Sequence, residues 1–258
     1  MSLELVPADR FELEEVGALF TAGYEGYFTP VHVDGAALAS MVKAWDIDLT
    51  SSRVAVRDGE PVGVGMLGVR GDRGWIGGLG VVTAARRTGV GRVLMEALLA
   101  EAPPEVGLEV IEQNDAAIRL YEELGFERTR VLEVWSLAAE VPDHEVRTVD
   151  GRPLGQLGLP WQRADESLPA DYERIEVAGG AALIRVNGAR VSVLQLAADG
   201  EASAVALLGA ARNRGESLQY VNVPAGDSAS AALAELGASL DVRQVEMRFM
   251  RSTSGPRG

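Results

Sequence analysis

Cysteine is absent from the chain. That absence excludes disulfides, a thiolate nucleophile and cysteine-ligated zinc together. Histidine is nearly absent, with only His32 and His144, both in polar, loop-like sequence. A two-histidine metal site and a Ser-His-Asp triad are therefore not expected, and no metal is called for. Positive charge is scarce: 24 Lys and Arg stand against 38 Asp and Glu, a net charge of −14. Non-specific nucleic-acid binding needs a basic face, so nucleic acid is not an expected partner. An acidic surface serves solubility instead. No apolar run approaches the roughly 20 residues of a membrane helix. The start, Met1-Ser2-Leu3-Glu4-Leu5, lacks the basic-then-apolar pattern of a signal peptide. The expectation is a cytoplasmic protein with no membrane partner.

Hydrophobic residues make up 47% of the 258 positions, enough to bury a core in one large or two modest domains. Residues 4–7 read as a first strand. Residues 11–20 read as a helix, with Phe11, Val16, Leu19 and Phe20 on one face. Glycine and proline break residues 24–30, and Asp34 is placed to cap a second helix through Ala44. Three strands follow, 52–57, 61–70 and 74–82, separated by Asp58-Gly59 and Gly71-Asp72 as an antiparallel meander. Residues 89–102 form the strongest helix pattern, with Val90, Val93, Leu94, Ala97 and Leu98 at amphipathic spacing. Then come a strand over 106–111, a helix capped by Asn114 and ended by Gly125, and a strand over 127–137.

The chemistry concentrates where the third meander strand meets the strong helix. A helix start carries unpaired N–H groups and partial positive charge, and glycines let an anion approach them. Leu79-Gly80-Val81-Val82 feeds Thr83-Ala84-Ala85, followed by Arg86, Arg87, Thr88, Gly89, Val90, Gly91 and Arg92. The residues can form a diphosphate cradle, or equally a basic helix entry whose glycines serve only the turn.

Leu79-x-Val81 before Arg86-x-x-Gly89-x-Gly91, then Asn114 and Leu120-Tyr121-Glu122-Glu123-Leu124-Gly125-Phe126, resembles the GNAT acetyltransferase superfamily over about residues 3 to 137. The resemblance implies a mixed α/β sheet fold that uses acetyl-CoA. It implies that backbone groups near Val81 and Val82 hold the pantetheine arm and polarise the thioester carbonyl. Arg86, Arg87, Thr88, Gly89, Val90, Gly91 and Arg92 would hold the diphosphate, and Asn114 would help position the cofactor. Tyr121 would protonate the departing thiolate, a role that suits a phenol of ordinary pKa near 10. Tyr24, Glu25, Tyr27 and Phe28 would contribute to the acceptor pocket; the aromatics among them could equally be packing beneath a loop. Many relatives carry a glutamate on the strand before the loop. Here it reads Trp75-Ile76-Gly77-Gly78-Leu79-Gly80, without an acid. The base comes from elsewhere or is unnecessary; Glu25, Asp46 and Glu112 are candidates, each of which reads also as a solvated surface carboxylate.

Gly63-x-Gly65-x-x-Gly68 matches a dinucleotide fingerprint in letters only. It lies in an alternating strand and runs into a turn rather than a helix. A shift of 112 positions aligns Glu123-Leu124-Gly125 with Glu235-Leu236-Gly237, and the helix from Val90 with one from Ala202. The later half resembles a second, incomplete GNAT-like domain. Arg86, Gly89, Gly91 and Tyr121 map to Ala198, Glu201, Ser203 and Leu233, so that copy is expected to be inactive. The expected organisation is a catalytic domain over 1–138, a proline-bearing connection over 139–165, a degenerate domain over 166–250 and a flexible tail over 251–258. The degenerate half would complete the sheet, wall off the acceptor site or mediate a homodimer.

The expected activity is transfer of an acetyl group from acetyl-CoA to a primary amine, on a small molecule or a peptide, by direct attack in a ternary complex. The absence of cysteine favours direct attack over a thiol acyl-enzyme. The alternative is an acetyl-CoA-binding sensor or assembly module without turnover.

Overall fold

The computed structural model describes residues 2–251. They form two compact units. One holds residues 2–129 together with residues 246–251; the other holds residues 130–245.

The first unit runs β1 (Leu3–Pro7), α1 (Leu13–Gly23), α2 (Gly35–Ala44), β2 (Arg53–Arg57), β3 (Glu60–Arg70), β4 (Arg73–Val81), α3 (Val90–Glu101), β5 (Glu105–Ile111) and α4 (Asp115–Glu123). The caps read from sequence form: Asp34 accepts from the Ala37 N–H at 2.7 Å and Asn114 from the Ala117 N–H at 3.2 Å. Each satisfies an orphan donor of a helix start. Strands β1 to β4 are antiparallel neighbours in sequence order. Val16 and Phe20 of α1 bury with Leu38, Val54, Val64 and Met66, whereas Val90 and Leu94 of α3 bury with Ala55. The helices thus cover different faces of the sheet, which a mixed α/β architecture requires. The Gly63-x-Gly65-x-x-Gly68 string lies wholly inside β3.

Strand β5 lies beside β4 in parallel, but their register extends only from Arg73↔Glu105 to Trp75↔Gly107. Beyond Trp75 the two strands part, and their facing backbone groups are left without each other.

The second unit follows β6 (Glu127–Leu137), whose first residues belong to the first unit. It runs β7 (Arg147–Val149), β8 (Glu173–Val177), β9 (Gly180–Asn187), β10 (Arg190–Ala198), α5 (Glu201–Arg212), β11 (Ser217–Pro224), α6 (Ser228–Glu235) and β12 (Ser239–Met250). Its strand order is β12-β6-β11-β10-β9-β8-β7. A meander, a helix, a parallel strand and a second helix recur in the order of the first unit. Left-handed Gly125 and Gly237 follow α4 and α6 alike. Counterparts of α1 and α2 are missing. Between β7 and β8 the chain instead makes two short 3-10 turns, Trp161–Arg163 and Asp165–Ser167.

The division differs from the blocks expected along the sequence. The stretch expected as a connection with some local strand, which contains β7, belongs by its contacts with the second unit. Residues 246–250, expected in the later half, pack with the first unit: Phe249 lies 5.6 Å from Phe126, ring to ring, and the Arg251 N–H donates to the Pro104 carbonyl at 2.8 Å. Apart from Arg251, the expected tail lies outside the described residues.

Candidate active site

The loop expected as an anion cradle starts where β4 ends. Arg87 has φ +60° and Gly89 φ +90°, two left-handed residues flanking Thr88. Such a turn directs successive N–H groups toward one side. Gly89 is the cap of α3 and gives no side-chain cap bond. Among the described residues, none accepts from the backbone N–H groups of residues 87 to 91. A side chain on Gly89 would point into open space, and one on Gly91 would meet nothing closer than 3.7 Å. The cradle is therefore open rather than sealed by its own side chains.

Beside it lies a cavity of about 380 Å³, lined by Leu79 and Val81 of β4, Arg86, Arg87 and Gly91 of the loop, Asn114 and Leu120 around α4, and Tyr24, Tyr27 and Phe28. The aromatic residues come from the end of α1, which approaches β4 backbone to backbone. A Cβ on Gly23 would stand 2.7 Å from the Gly80 backbone, so that position needs glycine, and one on Gly80 would stand a tight 3.1 Å from Gly23. Phe20 and Tyr24 stack at 4.8 Å; Tyr24 meets Tyr27 edge-on at 4.9 Å, and Tyr27 meets Phe28 at 5.2 Å.

The backbone of β4 is polarised by alternation, since successive residues aim their N–H and C=O groups at opposite neighbours. Val82 donates to the Val62 carbonyl at 3.0 Å, toward β3. Leu79 and Val81 therefore face the side where β5 has departed. The Leu79 N–H donates to the Tyr24 hydroxyl at 3.2 Å, and the Val81 carbonyl accepts Arg86 Nε at 2.9 Å. No described residue accepts from the Val81 N–H.

Residues 22–126 match the family model described as the acetyltransferase (GNAT) family. That match covers 105 of the chain's 258 residues. Solved structures with the same fold extend over nearly the whole chain. A GCN5-related N-acetyltransferase from Sphaerobacter thermophilus is 16% identical with a TM-score of 0.69, covering 96% of this chain and 95% of that one. A candidate acetyltransferase from Pyrococcus horikoshii is 17% identical with a TM-score of 0.70, covering 97% and 89%. A tandem GNAT protein from the clavulanic acid biosynthesis pathway is 15% identical with a TM-score of 0.64, covering 98% and 100%. At such identities the likeness concerns the fold: a GNAT domain followed by a second, incomplete GNAT-like one.

Within the GNAT domain several expected residues have other occupations. The amide of Val82, expected to face the cofactor, is spent on β3. The guanidinium of Arg86, expected as phosphate charge, donates to the carbonyls of Val81, Gly23 and Glu25, tying the loop to the end of α1. Arg92 pairs with Glu123 and lies 4.0 Å from Glu96. Arg87 is exposed at the cavity. Thr88 Oγ1 donates to the Ala85 carbonyl at 2.7 Å and accepts from Arg57 at 2.8 Å. Arg57, at the far end of β2, thus brings a cation to the loop that no sequence spacing signals.

Tyr121 is buried and is not among the residues that line the cavity. Its ring lies 5.9 Å from that of Phe126. Burial first, then the nearby Tyr24 and Tyr27 phenols, push its pKa well above the ordinary value. Burial does the same to Tyr24 and Tyr27; the Asn114 side chain and the Ile111 backbone hold Tyr27 partly back. Glu25 accepts from Thr83 Oγ1 at 3.2 Å, Asp46 is paired with Arg70 at 2.6 Å, and Glu112 is exposed outside the lining. Among the described residues that line the cavity there is no acid, and β4 has no room for one at Gly78. A Cβ at Gly78 would stand 2.6 Å from the Phe20 ring and 3.1 Å from the Tyr24 hydroxyl.

The second unit has the same strand splitting but fills it. The parallel register of β10 and β11 stops at Val193↔Tyr220. Just beyond, the Arg163 guanidinium donates to the Leu194 carbonyl on β10 at 3.4 Å and to the Asn222 carbonyl on β11 at 2.8 Å, and it bonds the Tyr220 hydroxyl. Gln195, fully buried, donates to the Arg163 carbonyl at 2.8 Å and to Asp165 at 2.7 Å. The first 3-10 turn therefore supplies, from the chain itself, the polar partners that the parted strands lack.

Among the described residues, no helix is long and apolar enough to cross a membrane, and no group of three or more His, Asp or Glu could hold a metal ion.

Proposed function

We propose that the GNAT domain transfers an acetyl group from acetyl-CoA to a primary amine by direct attack in a ternary complex. The observation that carries this reading is the set of unpartnered N–H groups over residues 87 to 91, beside a cavity walled by the free edge of β4. Oriented amides at a helix start suit a diphosphate, and the cleft beyond Trp75 suits an extended amide-bearing arm. Val81, whose N–H is free, can bond that arm as a neighbouring strand would. Asn114, Arg87 and Thr88 stand beside the same cavity or its loop. Tyr24, Tyr27 and Phe28 form the wall on which the acceptor rests. Tyr121, kept protonated by burial and close to the other two phenols, returns a proton to the departing sulfur.

Calorimetry with CoA tests the cradle: heat with one binding event is expected, and its absence removes the reading. Incubation with acetyl-CoA and a panel of primary amines, followed by free-thiol release, tests transfer. Tyr121→Phe is expected to lower kcat while leaving CoA affinity nearly intact, and unchanged turnover takes Tyr121 out of the reaction.

A further inference from the structure

The Tyr24 hydroxyl is a polar group that the reading above leaves without a task. It accepts the Leu79 N–H at 3.2 Å, and no described residue accepts its own proton. The ring is fixed by the Phe20 stack and by Tyr27. It lines the cavity at the open edge of β4, two residues before Val81 along the strand. A Cβ at Gly78 would stand 3.1 Å from the hydroxyl, so the glycine keeps a side chain off it. Because Leu79 has given its N–H to Tyr24, the donor presented at that point of the edge is the phenol O–H.

We propose that Tyr24 is a catalytic residue whose hydroxyl donates a hydrogen bond to the thioester carbonyl oxygen of the bound acyl donor. The assignment rests on the acetyltransferase reading of the same cavity. As the amine nitrogen forms the new C–N bond, negative charge collects on that oxygen, and a fixed donor in a largely apolar cavity stabilises it. The tetrahedral carbon then expels the sulfur with the C–S electron pair. The proton lost by nitrogen balances the proton gained by sulfur, and Tyr24 keeps its own throughout. The Leu79 N–H, donating to the phenol oxygen, strengthens the phenol as a donor through the chain of hydrogen bonds.

Tyr24→Phe preserves the stacked ring and removes only the donor. The expected result is a kcat lower by about 100-fold with CoA affinity changed less than about twofold. The infrared band of acetyl-CoA labelled with carbon-13 at the thioester carbonyl gives a readout that a packing role would not move. Bound to the native protein the band shifts to lower frequency, and in Tyr24→Phe it returns toward its solution position. An unshifted band in the native protein, the same shift in both proteins, or unchanged turnover in the variant overturns the assignment while leaving CoA binding and transfer standing. Failure of the native protein to bind CoA is a different result and overturns the acetyltransferase reading itself.

Discussion

Gly89 shows how much one residue can carry. Its φ of +90° costs a residue with a side chain roughly 1–2 kcal/mol, and its hydrogen faces open space where an anion would lie. Gly89→Glu adds a carboxylate at that spot. We expect it to abolish CoA binding in calorimetry while the protein stays folded by circular dichroism. The phenols give a second prediction at this scale. Burial raises Tyr24, Tyr27 and Tyr121 above the ordinary value near 10. A reaction that uses their O–H groups should show no alkaline loss of kcat between about pH 8 and about pH 10, read from a pH–rate profile. In the unfolded chain the same phenols ionise near the ordinary value. Their contribution to stability is therefore intact below about pH 10 and is lost as pH rises from there toward the folded value. Urea unfolding at stepped pH measures the decline.

At the scale of elements, the two units answer the same strand splitting in opposite ways. Between β4 and β5 the edge of Leu79 and Val81 faces a cavity. Between β10 and β11 the Arg163 guanidinium bridges Leu194 and Asn222. The start of α5 also differs: Glu201 replaces Gly89, and Ser203, replacing Gly91, donates to Asp199 at 2.7 Å. Calorimetry should find one CoA per chain, and Gly89→Glu should leave none. A residual single site in that variant would show that the second unit binds the cofactor despite Arg163. The elements themselves were largely legible. Alternation and spacing gave the meander and the α3 stripe, and the caps at Asp34 and Asn114 formed as local chemistry directs. The roles of Arg86 and Val82 were not legible. Whether a guanidinium meets a phosphate or three carbonyls depends on where the end of α1 lies, and whether an amide faces β3 or the gap depends on register.

At the scale of the whole chain, the last described residues matter to the first unit. Every proposed site residue lies before position 126, yet residues 246–251 pack with that unit. Met247 is fully buried, Phe249 lies against Phe126, and Arg251 donates to the carbonyls of Leu99 and Ala102 at the end of α3. The end of a helix leaves just such carbonyls unsatisfied. Phe249→Ala should destabilise the protein by about 1–3 kcal/mol in denaturant unfolding. The substitution Met250→Ala, at a side chain 63% exposed, should change stability by less than about 0.5 kcal/mol.

The sequence by itself determined what is local or compositional. The missing cysteines removed thiol chemistry, Arg86-x-x-Gly89-x-Gly91 marked the loop proposed to hold an anion, and a shift of 112 positions exposed the repeat with Gly89 and Gly91 replaced. These signals survive in one dimension because turn geometry, capping and helix periodicity depend on residues a few positions apart. Only the tertiary structure decided that Arg57 reaches Thr88, that Tyr24 takes the Leu79 amide, that Arg163 closes the second cleft and that residues 246–251 serve the first unit. Each of those contacts joins residues 30 or more positions apart. Their meeting is set by strand order and helix placement, which no local spacing encodes.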